Sequence, residues 1–298
     1  MYFAVDKLIN EIPSDEPDPK AANALQEGVG GQYGEMRTMM QYLFQSFNFR
    51  GDAKPFRDLI HSVAVEEISH LELIATTVSR LLDGSPQYQG KTGDVAAEGG
   101  TTPLEVAFQG GNAHHWIVGA QASLPIDAAG NPWSGSYVHA SGNLTLDLLN
   151  NLMLESTGRL QKCRIYEMSD NKAFRATVSY LIVRDHGHEL VFAKALETLG
   201  IDWAKTLPIP NFDATKYPEV KDLMDQGLHL RQHHFHLDES LIGKIFKGSS
   251  PENNGSEVTV QDERPEGAPN PLAPERVEEF SPGLTPEIRR MLEEQHGI

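Results

Sequence analysis

This chain of 298 residues predicts an all-α fold: a four-helix bundle with one long crossover connection and an extended C-terminal arm. Three observations predict it. Four long segments repeat apolar residues at helical spacing. Each also carries Glu or His on or beside its apolar stripe. Between the second and third lie some 60 residues dominated by Gly, Pro and small polar side chains, far more than the roughly 2–8 that usually join bundle helices.

The first segment runs from about residue 21 to 49, with Leu25, Val29, Tyr33, Met36, Met39, Met40, Leu43, Phe44 and Phe47 tracing a broad apolar face around Glu35. Gly28, Gly30, Gly31 and Gly34 are unusual inside a helix, where each costs about 1 kcal/mol against Ala. They either let another helix approach closely or leave room beside a metal site. The second segment starts near Asp52, an acceptable N-cap, with Pro55 in its first turn. Its stripe passes through Ile60, Val63, Ala64, Ile68, Leu71, Ile74, Val78 and Leu81, and Asp83-Gly84 ends it.

Residues 85–142 form the crossover. The adjacent pair His114-His115 within it reads as surface or packing. The third segment, from about 143 to 168, carries Leu148, Leu149, Leu152, Leu160, Cys163, Ile165 and Tyr166 around Glu155. The fourth begins at Asp170 or Asn171 and ends at Leu199 with Gly200 as its stop, carrying His188 in its second half. A short helix is expected from Pro218 to about Met224. The stretch 248–298 holds 11 acidic and 4 basic residues; lacking a core of its own, it reads as disordered or, the favoured reading, as an arm laid over a neighbouring subunit. The domain organisation is thus an N-terminal segment 1–20, a bundle 21–200 and an irregular region with arm 201–298.

Bulk properties exclude several functions. A net charge of −17 and a pI near 5.1 argue against nucleic acid or an anionic membrane as partner, since both need concentrated basic surface. No run approaches the roughly 20 apolar residues of a membrane span, and the mean hydropathy is −0.39. Cys163 is the only cysteine, which excludes an internal disulfide and suits a reducing compartment. The start Met-Tyr-Phe-Ala-Val-Asp has no secretory pattern, so a cytoplasmic location is expected.

Glu67-Ile-Ser-His70 decides the chemistry. Three residues bring its carboxylate and imidazole to about 60° apart on a helix, where both can reach one metal ion. Glu35, Glu67, His70, Glu155 and His188 all fall on or beside apolar faces, where unpaired carboxylates cost several kcal/mol and call for compensation such as metal ions provide. Only Glu67 of the neighbouring pair Glu66-Glu67 has a His three residues later, so Glu66 is expected to be solvated or to support a ligand. In the fourth segment Asp185 precedes His188, and its shorter side chain is not expected to reach a metal. His229, His233, His234 and His236 form a second cluster, read as surface or subunit contact rather than as a metal site. Cys163 is read as a small buried apolar residue.

At these residues the sequence resembles the non-haem manganese catalases, a ferritin-like family. The resemblance rests on Gly30-Gly-Gln-Tyr-Gly-Glu-Met-Arg37, Glu66-Glu-Ile-Ser-His-Leu-Glu-Leu73, Leu154-Glu-Ser-Thr-Gly-Arg159 and Arg184-Asp-His-Gly-His-Glu189, and extends to about residue 245. It implies that Glu67 bridges two manganese ions, with Glu35 and His70 completing one and Glu155 and His188 the other. It also implies dismutation of hydrogen peroxide, with Lys162, Asp185 and Tyr42 handling protons, assembly as a homo-hexamer, and calcium at subunit contacts as in some relatives. Some members carry an Arg just before the third-helix ligand; this chain has Leu154 there. The alternatives are a diiron carboxylate oxidase or peroxidase, which Asp185 in place of a second Glu argues against, and a non-catalytic metal-binding coat protein.

Overall fold

The computed structural model describes residues 8–83, 103–108, 110–210, 212–231, 248–249, 257–258 and 285–297. It is built from helices α1 (Pro19–Gly30), α2 (Glu35–Ser46), α3 (Lys54–Leu82), α4 (Pro103–Phe108), α5 (His114–Ile117), α6 (Leu144–Tyr166), α7 (Lys172–Thr198), α8 (Trp203–Thr206), α9 (Pro218–Asp225) and α10 (Pro286–His296). A two-residue antiparallel pairing, Gly248–Ser249 with Glu257–Val258, is the one sheet among the described residues. None of the described helices is long and apolar enough to cross a membrane.

The first predicted segment divides into two helices. Gly31 adopts an extended backbone (φ −66°, ψ 166°) that stops α1. A Cβ at Gly31 would stand 2.4 Å from the Glu27 carbonyl oxygen, and one at Gly34 2.8 Å from that of Gly28. The glycines therefore permit a break that periodicity alone reads as continuous helix. Both halves then pack along the same long α3, α1 on its second half and α2 on its first.

The other boundaries fall close to expectation. At α3 the expected Asp52 cap is not found: Asp52 lies inside a 3-10 turn, Gly51–Ala53, and Ala53 is the N-cap without a side-chain bond, while Pro55 does fall in the first turn. The Asn143 side chain accepts from Leu146 N to cap α6. That of Asn171 accepts from Ala173 N and Phe174 N to cap α7. Gly200 follows α7 at φ +73°, the left-handed stop that favours glycine.

α2 pairs with α3 and α6 with α7, and the pairs meet through α3–α7 and α2–α6. Apolar side chains gather in two clusters. One joins Leu25 and Val29 to Leu73, Ile74, Val178 and Leu181. The other joins Phe56, Ile60, Leu144, Leu148, Phe192 and Leu196. Between them lies a layer of buried polar residues holding the candidate site.

The crossover spans the bundle because α3 ends in the first cluster and α6 begins in the second. Buried amides fasten it. Gln26 Nε2 donates to Ile126 O at 2.9 Å, while Gln26 Oε1 accepts from Leu124 N and faces His115 Nε2 at 3.2 Å, which makes His115 a packing residue. Gly30 lets this segment approach, since a Cβ there would meet Ile126 O at 2.4 Å. Further on, Gln45 Nε2 donates to His139 O at 2.8 Å, and Gln41 and Gln45 both bond Asn151 of α6.

After Gly200 the chain folds back over α7, with Val220 of α9 buried there. α10 rests on the bundle of its own chain: Leu292 joins the second cluster and Arg289 pairs with Asp52 at 3.1 Å. The rest of the acidic stretch read as an arm lies almost wholly outside the described residues.

Candidate metal centre

Glu35, Glu67, His70, Glu155, His188, Lys162, Asp185 and Tyr42 all converge in the polar layer, and every one is at least nine-tenths buried. The break at Gly31–Gly34 makes Glu35 the first residue of α2, where a helix N-terminus favours a carboxylate. Glu67 and His70 share the inward face of α3, Glu155 and Lys162 that of α6, and Asp185 and His188 that of α7.

Glu67 lies at the centre. Its Oε2 is 2.7 Å from His70 Nδ1, and its Oε1 is 3.1 Å from His188 Nδ1. Glu155 Oε1 stands 3.5 Å from the same His188 nitrogen and accepts from the Tyr42 hydroxyl at 2.5 Å. Glu35 Oε2 lies 3.8 Å from His70 Nδ1, and Thr38 Oγ1 donates to it at 3.3 Å. Lys162 Nζ sits between Glu35 Oε1 at 2.8 Å and Asp185 Oδ2 at 2.6 Å. Gly158 keeps space beside this pair, since a Cβ there would lie 3.5 Å from Asp185 Oδ2 and 3.7 Å from Lys162 Nζ.

Five buried carboxylates (Glu35, Glu66, Glu67, Glu155, Asp185) meet two buried cations, Lys162 and Arg184. Burial alone would drive the Glu35 carboxyl up, yet the Lys162 ammonium together with His70 and a hydrogen bond to Glu67 outweighs it and holds Glu35 well below the carboxylate range. Burial likewise opposes the charge on Lys162, but Asp185 and Glu35 keep it protonated. Asp185 is pushed up by burial and by Glu35, Glu155 and Glu67 against the pull of Lys162. Burial and the Glu155 carboxylate raise the Tyr42 hydroxyl, so it stays a hydrogen-bond donor.

The donor set fits a pair of metal ions. Glu67 Oε1 and His188 Nδ1 stand 3.1 Å apart, yet both lack a hydrogen-bond partner. Two buried ligand atoms so close without bonding each other aim at a common third point. An octahedral ion with bonds of about 2.1 Å holds neighbouring ligands about 3.0 Å apart. Glu67, Glu155 and His188 offer ligand atoms within 4.8 Å of one another, and so do Glu35, His70 and Asp185. Asp185 thus comes closer to the ligands than its short side chain suggests, although its Oδ2 is engaged by Lys162.

Two residues take places beside the centre that the sequence leaves open. Glu66 is buried, with Oε1 3.5 Å from His70 Nε2 and Oε2 3.6 Å from His188 Nε2. Arg184 pairs with it from α7. The sequence holds a signal for this: an Arg one helical turn before His188 on a buried stripe requires a buried carboxylate. His229 takes no part in the centre. It lies in a 3-10 turn with its ring 5.3 Å from that of His186, and His233, His234 and His236 fall outside the described residues. Cys163 is buried, and burial pushes its thiol up to about 11, in keeping with a packing residue.

The profile of a family described as manganese containing catalase matches residues 1–294. A manganese catalase of Bacillus subtilis is 42% identical over 209 residues, covering 70% of this chain and 74% of the relative. A manganese catalase of Lactiplantibacillus plantarum is 35% identical over 209 residues, covering 70% and 76%. The crystal structure of KatB, a manganese catalase from Anabaena, aligns with a TM-score of 0.54 and 26% identity over 72% of this chain and 85% of that one. With the match running almost from end to end and a buried donor set that suits two metal ions, the chain belongs to the manganese-containing catalase family.

Proposed function

We propose that this protein dismutates hydrogen peroxide to water and dioxygen at a dinuclear manganese centre. Glu67 would bridge the ions, Glu35 and His70 would complete one, and Glu155 and His188 the other. The observation that carries the reading is the close, unbonded approach of Glu67 Oε1 and His188 Nδ1 within a layer short of positive charge. The formal charge there is −3 with all five carboxylates ionised and the imidazoles neutral as metal donors, and two Mn(II) bring it to +1.

When bound, the two ions supply a two-electron reservoir between the Mn(II) and Mn(III) pairs. One peroxide takes up two electrons and two protons to give two waters; another gives up two electrons and two protons as dioxygen. The protons must be held inside the bundle between the two halves. Asp185 suits this task, because its raised affinity lets the carboxyl hold a proton and its Oδ1 is buried without a partner. Lys162 Nζ binds Asp185 and Glu35 together and opposes the proton that burial and the neighbouring carboxylates favour on Asp185, so a proton held there is poised to leave again. Tyr42 fixes Glu155 through its hydroxyl.

The reading extends to a homo-hexamer in the cytoplasm, with sedimentation analysis as its check. The activity is tested by dioxygen release from hydrogen peroxide with bound metal quantified on the same sample. Rapid release at about two manganese per chain supports the reading. Two tightly bound metals without release overturn it, and activity confined to iron-loaded protein moves the assignment to the diiron oxidases.

A further inference from the structure

Arg184 heads the large, fully buried side chains of the described residues, and the peroxide reaction makes no direct demand on a guanidinium. Its Nε donates to Glu66 Oε1 at 2.6 Å and its Nη2 to Glu66 Oε2 at 3.1 Å, a two-bond fork on the carboxylate. Its Nη1 donates to the backbone carbonyl of Leu228. A guanidinium held at all three nitrogens cannot turn, so the plane of the Glu66 carboxylate is fixed with it.

That plane presents one oxygen to each imidazole. At 3.5 and 3.6 Å these approaches exceed an ordinary hydrogen bond, yet neither Nε2 atom has a hydrogen-bond partner elsewhere. The two rings are stacked 5.4 Å apart at 20°, so a single carboxylate can serve both. An imidazole whose Nε2 faces a carboxylate keeps its proton there and offers the Nδ1 lone pair to a metal. Both Nδ1 atoms face Glu67, on opposite oxygens.

We propose that Arg184 is a positioning residue for both histidine donors, holding Glu66 in the orientation that sets the tautomer of His70 and His188 together, with the Leu228 carbonyl completing the clamp. The inference deepens the dimanganese reading and rests on it. Its consequence is that the segment after the bundle helps to set the geometry of the centre. Gly187 makes this possible: a Cβ there would stand 2.9 Å from the His229 carbonyl and 3.3 Å from Arg184 Nη1. Lysine cannot replace Arg184, because an ammonium lacks the planar fork.

The test uses full-length wild type, Arg184→Lys and Gly187→Ala, each loaded with manganese. Manganese loss during dialysis against a chelator is followed, and the electron paramagnetic resonance spectrum of the reduced centre is recorded. Arg184→Lys is expected to lose manganese about 10–100-fold faster than wild type, with an altered spectrum and unchanged helix content. Gly187→Ala shifts both readouts in the same direction by less, since it moves only the carbonyl side of the clamp. Wild-type retention and spectrum in both variants overturn the proposal. Should Arg184→Lys be recovered unfolded, Gly187→Ala decides by the same two outcomes. A wild type that binds two manganese ions but releases no dioxygen defeats the catalase reading alone, because retention and spectrum do not depend on turnover.

Discussion

Lys162→Met removes the buried cation from between Glu35 and Asp185 while keeping most of the side chain's volume. Lys162 Nζ is 2.8 Å from one carboxylate and 2.6 Å from the other, with the residue 4% exposed. Removing one partner of a buried ion pair costs about 3–5 kcal/mol, because the remaining charge is left uncompensated. For a domain near 200 residues each kcal/mol lowers the melting temperature by roughly 2–4 °C, so the metal-free variant should melt at least about 6 °C below metal-free wild type. With Glu35 among the proposed ligands, bound manganese would bring positive charge to it, so the gap should narrow once the protein is loaded. Differential scanning calorimetry of stripped and loaded samples measures both gaps, with Lys162→Arg as the charge-preserving control. A stripped Lys162→Met protein that melts within about 2 °C of wild type would refute the argument that Lys162 balances these carboxylates.

Four further outcomes are expected. Burial tends to raise Glu35, but Lys162 and His70 together depress it, so its stabilisation is present above the ordinary value of 4.5 and lost as pH falls below it. Urea midpoints of the stripped protein should therefore drop below that pH, and less steeply in Glu35→Gln; equal slopes would contradict the assignment. Gly30→Ala drives a Cβ to 2.4 Å from Ile126 O and should cost about 1–3 kcal/mol, read as faster proteolysis of the crossover with helix content retained. Tyr42→Phe removes the hydroxyl bonded to Glu155 and should cut peroxide turnover by about 10-fold or more with metal content unchanged. Asn171→Ala removes the α7 cap and should lower stability by about 1 kcal/mol with turnover per bound manganese intact.

The four apolar stripes, the ends at Asp83, Asn143, Asn171 and Gly200, and the residue types able to bind metal were all readable from the amino-acid order. These are local facts, because helical periodicity, caps and the three-residue spacing of Glu67 and His70 are written in neighbouring positions. The broken first segment was not legible, since Leu25 to Phe47 keep a helical rhythm and only the close packing at Gly31 and Gly34 reveals the break. Glu66 posed the harder problem. Its neighbour Glu67 carries the recognisable spacing, and whether Glu66 meets water or a buried Arg depends on a side chain 118 residues away. Nor does the pattern after Gly200 announce that a backbone carbonyl at Leu228 reaches that same Arg. Tertiary structure decided which buried charges are already paired and which are left for metal ions, because charge compensation is a property of neighbours in space, which helix spacing alone does not encode.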